Sequence, residues 1–177
     1  MLFKLSIRSD IAENFVLYLE ADANNTFYQL HEAIGEECNY DTSQLAAFFL
    51  ADEEWDKSIE IKMFAAKSLQ KASSEEFLMK DTRLGQIIKE VEDKLIYVFD
   101  INNQKSLYIE LNEIEMEKTI NAPVITLSKG IAPVQILNKS NDVDFIETDD
   151  LDSQNVFEDL GELEDLNEIY GEMSNIL

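Results

Sequence analysis

The sequence predicts an α+β fold: a mixed, mostly antiparallel sheet with one main helix packed on one face and a β-grasp-like order of the N-terminal elements. Three observations support this. Alternating apolar residues mark several strands, beginning with "LFKLSIRS" at the N-terminus. Residues 26–38 instead place their apolar side chains at helical spacing. Two β-rich runs on either side of residues 101–105 are typical of an antiparallel hairpin.

The N-terminal third contains two strands and the main helix. Residues 2–9 and 15–22 each alternate apolar and polar side chains, which predicts a loose hairpin. Thr26 followed by Gln29 is a capping box and predicts the start of the helix. Its apolar stripe consists of Phe27, Leu30, Ile34 and Cys38.

The middle of the chain continues with strands. Residues 45–51 ("LAAFFLA") and 58–64 ("SIEIKMF") predict two strands that flank the acidic stretch 52–56. A short second helix is expected near 82–91, capped by Asp81. The first arm of the hairpin, "KLIYVFD", is nearly continuously apolar and therefore predicts a central strand. "APVITLSKGIAPVQ" carries both prolines of the chain and predicts an extended closing segment.

Charge divides the chain into a domain at 1–133 and an acidic C-terminal tail at 134–177. Residues 141–177 hold 13 of the 37 acidic residues and no Lys or Arg. Within the tail, residues 156–177 predict an amphipathic helix, because apolar residues recur at spacings of three and four. This apolar stripe comprises Phe157, Leu160, Leu163, Leu166, Tyr170, Met173 and Leu177. Gly161 and Gly171 each weaken such a helix by about 1 kcal/mol, so we expect it to need a surface to pack against.

Composition excludes several classes of site and partner. The chain of 177 residues has one cysteine and one histidine, which excludes an intramolecular disulfide, a cysteine-rich zinc site and sites with several histidine ligands. Its net charge of −23 repels a polyphosphate backbone, so we expect no direct nucleic-acid binding. No apolar run approaches membrane-spanning length, so we expect a cytoplasmic protein without a membrane partner.

The stretch "DEEWD" at 52–56 has two interpretations. Its carboxylates could hold a hard cation or act as acid and base. We favour a solvated loop between two strands with Trp55 folded down as a hydrophobic lid, because consecutive side chains point in different directions. Trp55 is therefore predicted as an interaction residue rather than a catalytic one. His31 is expected on the helix surface or in a second packing layer, and Cys38 as a small buried hydrophobe.

Four stretches carry a family resemblance: "TFYQLHEAIGEECNYD" (26–41), "FFLADEEWDKSIEI" (48–61), "DTRLGQII" (81–88) and "DKLIYVFDINNQKSLYIELNEI" (93–114). With the order of elements, they make residues 1–133 resemble the plasmid open-reading-frame-three family, also described as insertion-element passenger or TnpR-like proteins, in its Bacteroidetes form. The family's "YDFGDxWxH" hairpin signature is represented by "FDINNQKSLYI", in which only Phe99 and Asp100 align. The resemblance implies the fold and an association with mobile elements, but no particular activity.

These observations predict a non-enzymatic interaction or accessory module with no cofactor, no metal and no catalytic residues. Its expected partner is a protein, and the acidity of the chain favours a basic one. One alternative is a DNA mimic that occupies the nucleic-acid site of a basic protein. Another is an enzyme that uses Mg²⁺ or Mn²⁺ with Asp52, Glu53, Glu54, Asp56 or Asp100.

Overall fold

The computed structural model describes residues 1–65 and 76–136. Within these ranges the chain forms eight strands and two helices. They are β1 (Leu2–Arg8), β2 (Val16–Asp22), α1 (Phe27–Cys38), β3 (Ala47–Ala51), β4 (Lys57–Lys62), β5 (Phe77–Leu78), α2 (Leu84–Ile87), β6 (Lys94–Asp100), β7 (Lys105–Glu115) and β8 (Val124–Lys129). Neither of these helices is long and apolar enough to span a bilayer.

The strands form one sheet in the order β5-β4-β3-β6-β7-β1-β2-β8. Six of the seven neighbouring pairs are antiparallel, and only β4 and β5 run parallel. The prediction of a mixed, mostly antiparallel sheet is therefore confirmed. The predicted central strand is β6, which lies between β3 and β7.

The main helix begins and ends as its sequence predicts. Thr26 is the N-cap: its hydroxyl accepts the N–H of Gln29 at 3.2 Å, while the side-chain oxygen of Gln29 accepts the N–H of Thr26 at 2.9 Å. This capping box satisfies two N–H groups that would otherwise have no partner in the first turn. Asn39 ends the helix in a left-handed conformation with φ 54°.

Side chains alternate along the strands, so the sheet has two different faces. Both helices bury their apolar side chains in the main core, together with Phe48, Tyr97 and Phe99. The opposite face carries a smaller cluster formed by Ala51, Ile96 and Val98, against which Phe49, Trp55 and Tyr108 pack partly buried. Neither described helix contributes to this second cluster. We call this second face the open face.

The second helix is shorter than predicted. It covers only Leu84–Ile87, and Arg83 is its N-cap, so the predicted span of 82–91 and the predicted Asp81 cap are wrong. The helix stops because Ile88 is extended and because the carboxylate of Asp93 accepts the N–H groups of Lys89 and Glu90, at 2.7 and 2.9 Å. The two-residue strand β5 precedes this helix, and residues 66–75 lie outside the described ranges.

After β8 the chain turns back toward the β6–β7 hairpin. Gly130 makes this turn at φ 85°, where a Cβ would also collide with the carbonyl of Asn14. The side chain of Gln135 donates to the carbonyl of Phe99 at 3.0 Å, and the N–H of Ile136 donates to the carboxylate of Asp100 at 3.1 Å. The described chain therefore ends beside the turn of this hairpin.

Candidate functional site

The acidic loop between β3 and β4 is closed by its own first carboxylate. Asp52 accepts the N–H groups of Glu54 and Asp56 through one side-chain oxygen, each at 2.9 Å. Trp55 adopts a positive φ of 68° in the same turn, and its N–H donates to the carbonyl of Asp52 at 3.1 Å. Asp52 therefore has a structural role, and the interpretation of 52–56 as a loop joining two strands is confirmed for the backbone.

Trp55 folds back onto the open face. Its ring meets Tyr108 edge to face, with centroids 4.9 Å apart, and the ammonium of Lys94 lies 5.1 Å from the indole centroid. It packs against the small cluster that contains Ile96 and Val98. This is the folded-down position expected from the sequence. Its role in binding a partner stays a prediction.

A cleft of about 930 Å³ opens where the end of β3, the start of β6 and the middle of β7 meet. Seven charged residues line it, six of them acidic: Asp52, Glu53, Glu90, Glu92, Asp93, Glu110 and Lys94. We call it the acidic cleft. Only the first two of these acids belong to the acidic stretch singled out in the sequence, because the others come from separate segments that the fold brings together. The run "KEVED" at 89–93 is the one local signal that could have indicated it.

The carboxylates of the acidic cleft do not converge on a metal site. Asp52 and Asp93 already accept backbone N–H groups, and Lys94 donates to the carbonyl of Glu53 at 2.8 Å. Within 1–65 and 76–136, no group of three or more His, Cys, Asp or Glu side chains is arranged to hold a cation. The candidate metal ligands named from the sequence lie in two separate places: residues 52–56 are in the β3–β4 loop, and Asp100 is at the end of β6.

Asp100 fastens the β6–β7 turn instead. Its carboxylate accepts the N–H and side-chain amide of Asn103 and the N–H of Ile136. Burial pushes the pKa of Asp100 upward, but these hydrogen bonds and the nearby Lys105 outweigh burial and hold it below its usual value. Asp100 is therefore an ionised structural acceptor.

The open face contains a groove of about 460 Å³ between β4, β3, β6 and β7. Its lining is largely apolar, with polar side chains at the ends: Ala47, Phe49, Ile96, Val98, Ile101 and Tyr108, with Lys57, Glu60, Gln104 and Ser106. We call it the sheet groove. Alternating side chains along the strands predicted two faces, but not that both described helices would lie on the other one.

His31 is a buried packing residue of α1, so of its two expected positions, the helix surface or a second packing layer, the surface position is wrong. It is 1% exposed, and its two ring nitrogens contact the hydroxyl of Tyr97 at 2.7 Å and the carbonyl of Thr42 at 3.1 Å. A carbonyl can only accept, so Nε2 carries the hydrogen and Nδ1 accepts from the tyrosine. Burial lowers the pKa of His31, although the bond to Thr42 and the charge of Glu32 act in the opposite direction.

Cys38 is a packing residue, as predicted. It lies in the main core beside Tyr40, and burial raises the pKa of its thiol to about 12. The thiol is therefore protonated at neutral pH.

The tail residues predicted to contact a partner lie outside the described ranges. They are Phe157, Leu160, Leu163, Leu166, Tyr170 and Met173. Their interaction role stays a prediction.

Comparison with known proteins gives a family and a fold. The family model described as "Plasmid pRiA4b ORF-3-like protein" matches residues 9–137. A crystal structure of a protein of unknown function from Methanosarcina mazei Go1 superimposes with a TM-score of 0.53 at 16% identity, covering 72% of this chain and 68% of that one. No curated protein matches the chain. The structural likeness extends to the fold alone.

Proposed function

We propose that this chain, which belongs to the plasmid pRiA4b ORF-3-like protein family, is a non-enzymatic accessory protein that binds a basic protein partner. The proposal includes the TnpR-like label of the family, the Bacteroidetes-type form of this member, the association with mobile elements and the cytoplasmic location expected from the sequence. The β-grasp-like order of the N-terminal elements stays a prediction as well. The acidic cleft is the observation that carries the proposal.

The acidic cleft suits a basic protein surface. Six carboxylates and one ammonium face a single concave surface, in a chain whose net charge is −23. Like charges in a concave surface reinforce one another, so the potential attracts cationic side chains and accelerates their association. Lys94 also lines this surface, and its ammonium donates to the backbone carbonyl of Glu53. We expect the carboxylates of Glu90, Glu92 and Glu110 to contact the partner.

The hydrogen bonds of the carboxylates favour a binding function over a catalytic one. Catalytic acids and bases act in pairs held near one reacting atom. Asp52, Asp93 and Asp100 instead accept backbone N–H groups that shape their own turns. The remaining cleft acids come from different segments and form no metal-binding group in the described ranges.

The test is affinity capture from nuclease-treated native lysate, followed by titration of the captured protein against the purified full chain. We expect a basic partner whose affinity falls about tenfold or more in the variant E90Q/E92Q/E110Q, because three favourable charges are removed from one surface. Affinity should also fall as salt is added, since exposed charges are screened.

The matched control is E13Q/E32Q/E36Q, which removes the same net charge from exposed positions in the β1–β2 loop and on α1. We expect it to change affinity less than about twofold. Equal losses in both variants would contradict the proposal, because the chain would then act by total charge. Displacement of the captured partner by duplex DNA would instead support the DNA-mimic alternative.

A further inference from the structure

We propose that the sheet groove binds a small amphipathic carboxylate, with its apolar part along Ile96 and Val98 and its charged end at Lys57. This inference goes beyond the proposed function, because it concerns a different surface and a ligand that is not a protein. It rests on the lining of the groove, on what lies at its two ends and on the charges beside it.

The lining of the groove has the composition of a ligand site. Ile96 and Val98 are buried by their neighbours and form the floor, while Phe49 and Tyr108 are half-buried beside them. Ligand pockets usually measure roughly 300–1,000 Å³ and combine apolar and aromatic walls with a few polar groups, and this groove of about 460 Å³ falls in that range. Both described helices pack on the other face of the sheet. A ligand that removes this apolar surface from water would therefore be stabilised.

Both ends of the groove are bounded by side chains. At one end the ring of Trp55 packs edge to face against Tyr108, with the centroids 4.9 Å apart. At the other end lie Ile101 and Gln104, from the turn between β6 and β7. The distance along β6 from Ile96 to Ile101 is roughly 17 Å, and the strands from β4 to β7 span about 14 Å. A surface of this size suits a compact ligand, whereas a helix or strand of a partner protein would have to continue past Trp55 or the turn.

The charges of the lining favour a ligand with an anionic end. Lys57 and Glu60 are the charged residues that line the groove. Glu60 forms an ion pair with Lys62, with 3.9 Å between the carboxylate oxygen and the ammonium nitrogen. None of the ion pairs within 1–65 and 76–136 uses Lys57, whose ammonium lies over the ring of Phe49, 4.5 Å from its centroid. A carboxylate beside Lys57 would accept a charge-assisted hydrogen bond while its apolar part contacts Phe49.

A single carboxylate fits this arrangement better than a phosphate does. Lys57 pairs with Ala51 at the Trp55 end of the groove, and one ammonium there matches one negative charge. Gln104 and Ser106, at the turn end, are uncharged, so the rest of the ligand is expected to be neutral. The net charge of −23 opposes any anion, but exposed charges more than about 8 Å away are screened at physiological salt. The neighbouring ammonium therefore has the larger effect.

Titration of the ¹⁵N-labelled full chain with octanoate, followed through its amide chemical shifts, tests the proposal. We expect saturable shifts at the groove residues Phe49, Ile96, Val98 and Tyr108. Octanol should bind about three- to fivefold more weakly, because it keeps the apolar part and loses the contact with the exposed ammonium of Lys57. Octylammonium should bind the groove more weakly than octanol, since its charge has the sign of Lys57. The variant Lys57→Gln should lower the affinity for octanoate to that for octanol and leave the affinity for octanol within about twofold.

The matched control is Lys80→Gln. The ammonium of Lys80 also lies over an aromatic ring, that of Tyr28 in α1, 5.1 Å from its centroid, so the substitution removes the same charge and the same kind of contact outside the groove. We expect it to change the affinity for octanoate by less than about 1.5-fold. The variant Val98→Thr keeps the shape of the floor but makes it more polar, and it should weaken octanoate and octanol alike.

Several results would overturn the proposal. They are shifts that do not saturate, shifts confined to residues outside the groove, equal affinities for octanoate and octanol, and equal losses in Lys57→Gln and Lys80→Gln. The sheet groove and the acidic cleft share no lining residue, and no protein partner takes part in the titration, so failure here leaves the proposed function untouched.

Discussion

Replacing Phe48 with alanine is expected to lower the free energy of unfolding by about 3–5 kcal/mol. Phe48 is fully buried. Its ring stacks on Tyr97 with the centroids 4.5 Å apart, and the centroid of the Phe27 ring lies 5.3 Å away. The cavity would therefore open among α1, β3 and β6, where two aromatic rings lose a partner. Urea denaturation of the full chain measures the change through the shift in midpoint.

The neighbouring Phe49 provides the control. It points to the open face, is half-buried and lies under the ammonium of Lys57, 4.5 Å from the ring centroid. Phe49→Ala should cost about 1 kcal/mol, since less apolar area leaves contact with protein and no closed cavity forms. Equal losses of stability in the two variants would mean that the two faces of the sheet are buried alike, which would contradict the difference between the main core and the smaller cluster.

The second large effect is acid destabilisation through His31. Its pKa in the folded chain is lowered from 6.5, so below that value the unfolded chain binds a proton that the folded chain does not. The free energy of unfolding therefore falls as pH drops through 6.5 toward the lower folded pKa, by at most about 1.4 kcal/mol per pH unit for one proton. Urea denaturation between about pH 7.5 and 5.5 measures this slope.

His31 is the only histidine, which makes its contribution separable. The variant H31Q keeps hydrogen-bonding groups at that position but cannot titrate in this range. We expect it to be less stable at pH 7.5, because Tyr97 and Thr42 lose their fitted partner, and to show a shallower slope. A slope identical to that of the wild type would assign the pH dependence to carboxylates instead.

Most of the helix and strand positions could be predicted from the sequence, because they depend on the spacing of apolar residues and on capping residues within short segments. The capping box at Thr26 and Gln29 fixed the start of α1, and the apolar run at 94–100 fixed the central position of β6. The predicted length of the second helix is wrong because the carboxylate of Asp93 accepts the N–H groups of Lys89 and Glu90, which would have continued the helix. The surface position considered for His31 is wrong because the buried side of α1, which includes Leu30 and Ile34, is wide enough to include it.

The acidic cleft and the sheet groove could be predicted from the sequence only in part. The acidic cleft combines residues near 52, 90 and 110, and no local pattern states that these three segments meet. The sheet groove is left uncovered by the two described helices, because both pack on the other side of the sheet. Amphipathic periodicity shows that each element has an apolar side, but not which side of the sheet receives it.

The position of β1 in the sheet affects how the chain can fold during its synthesis. Leu2, in the first strand to be made, pairs with Glu115, in the seventh, so that strand gains its inner neighbour only when most of the domain has been translated. Pairing across such separations is entropically costly and slows folding to milliseconds or longer. Until then the β1–β2 hairpin presents an unpaired edge and an apolar side, which is the stage at which a chaperone or an aggregating neighbour competes for it. Refolding monitored by Trp55 fluorescence would contradict this order of events if it were complete within microseconds.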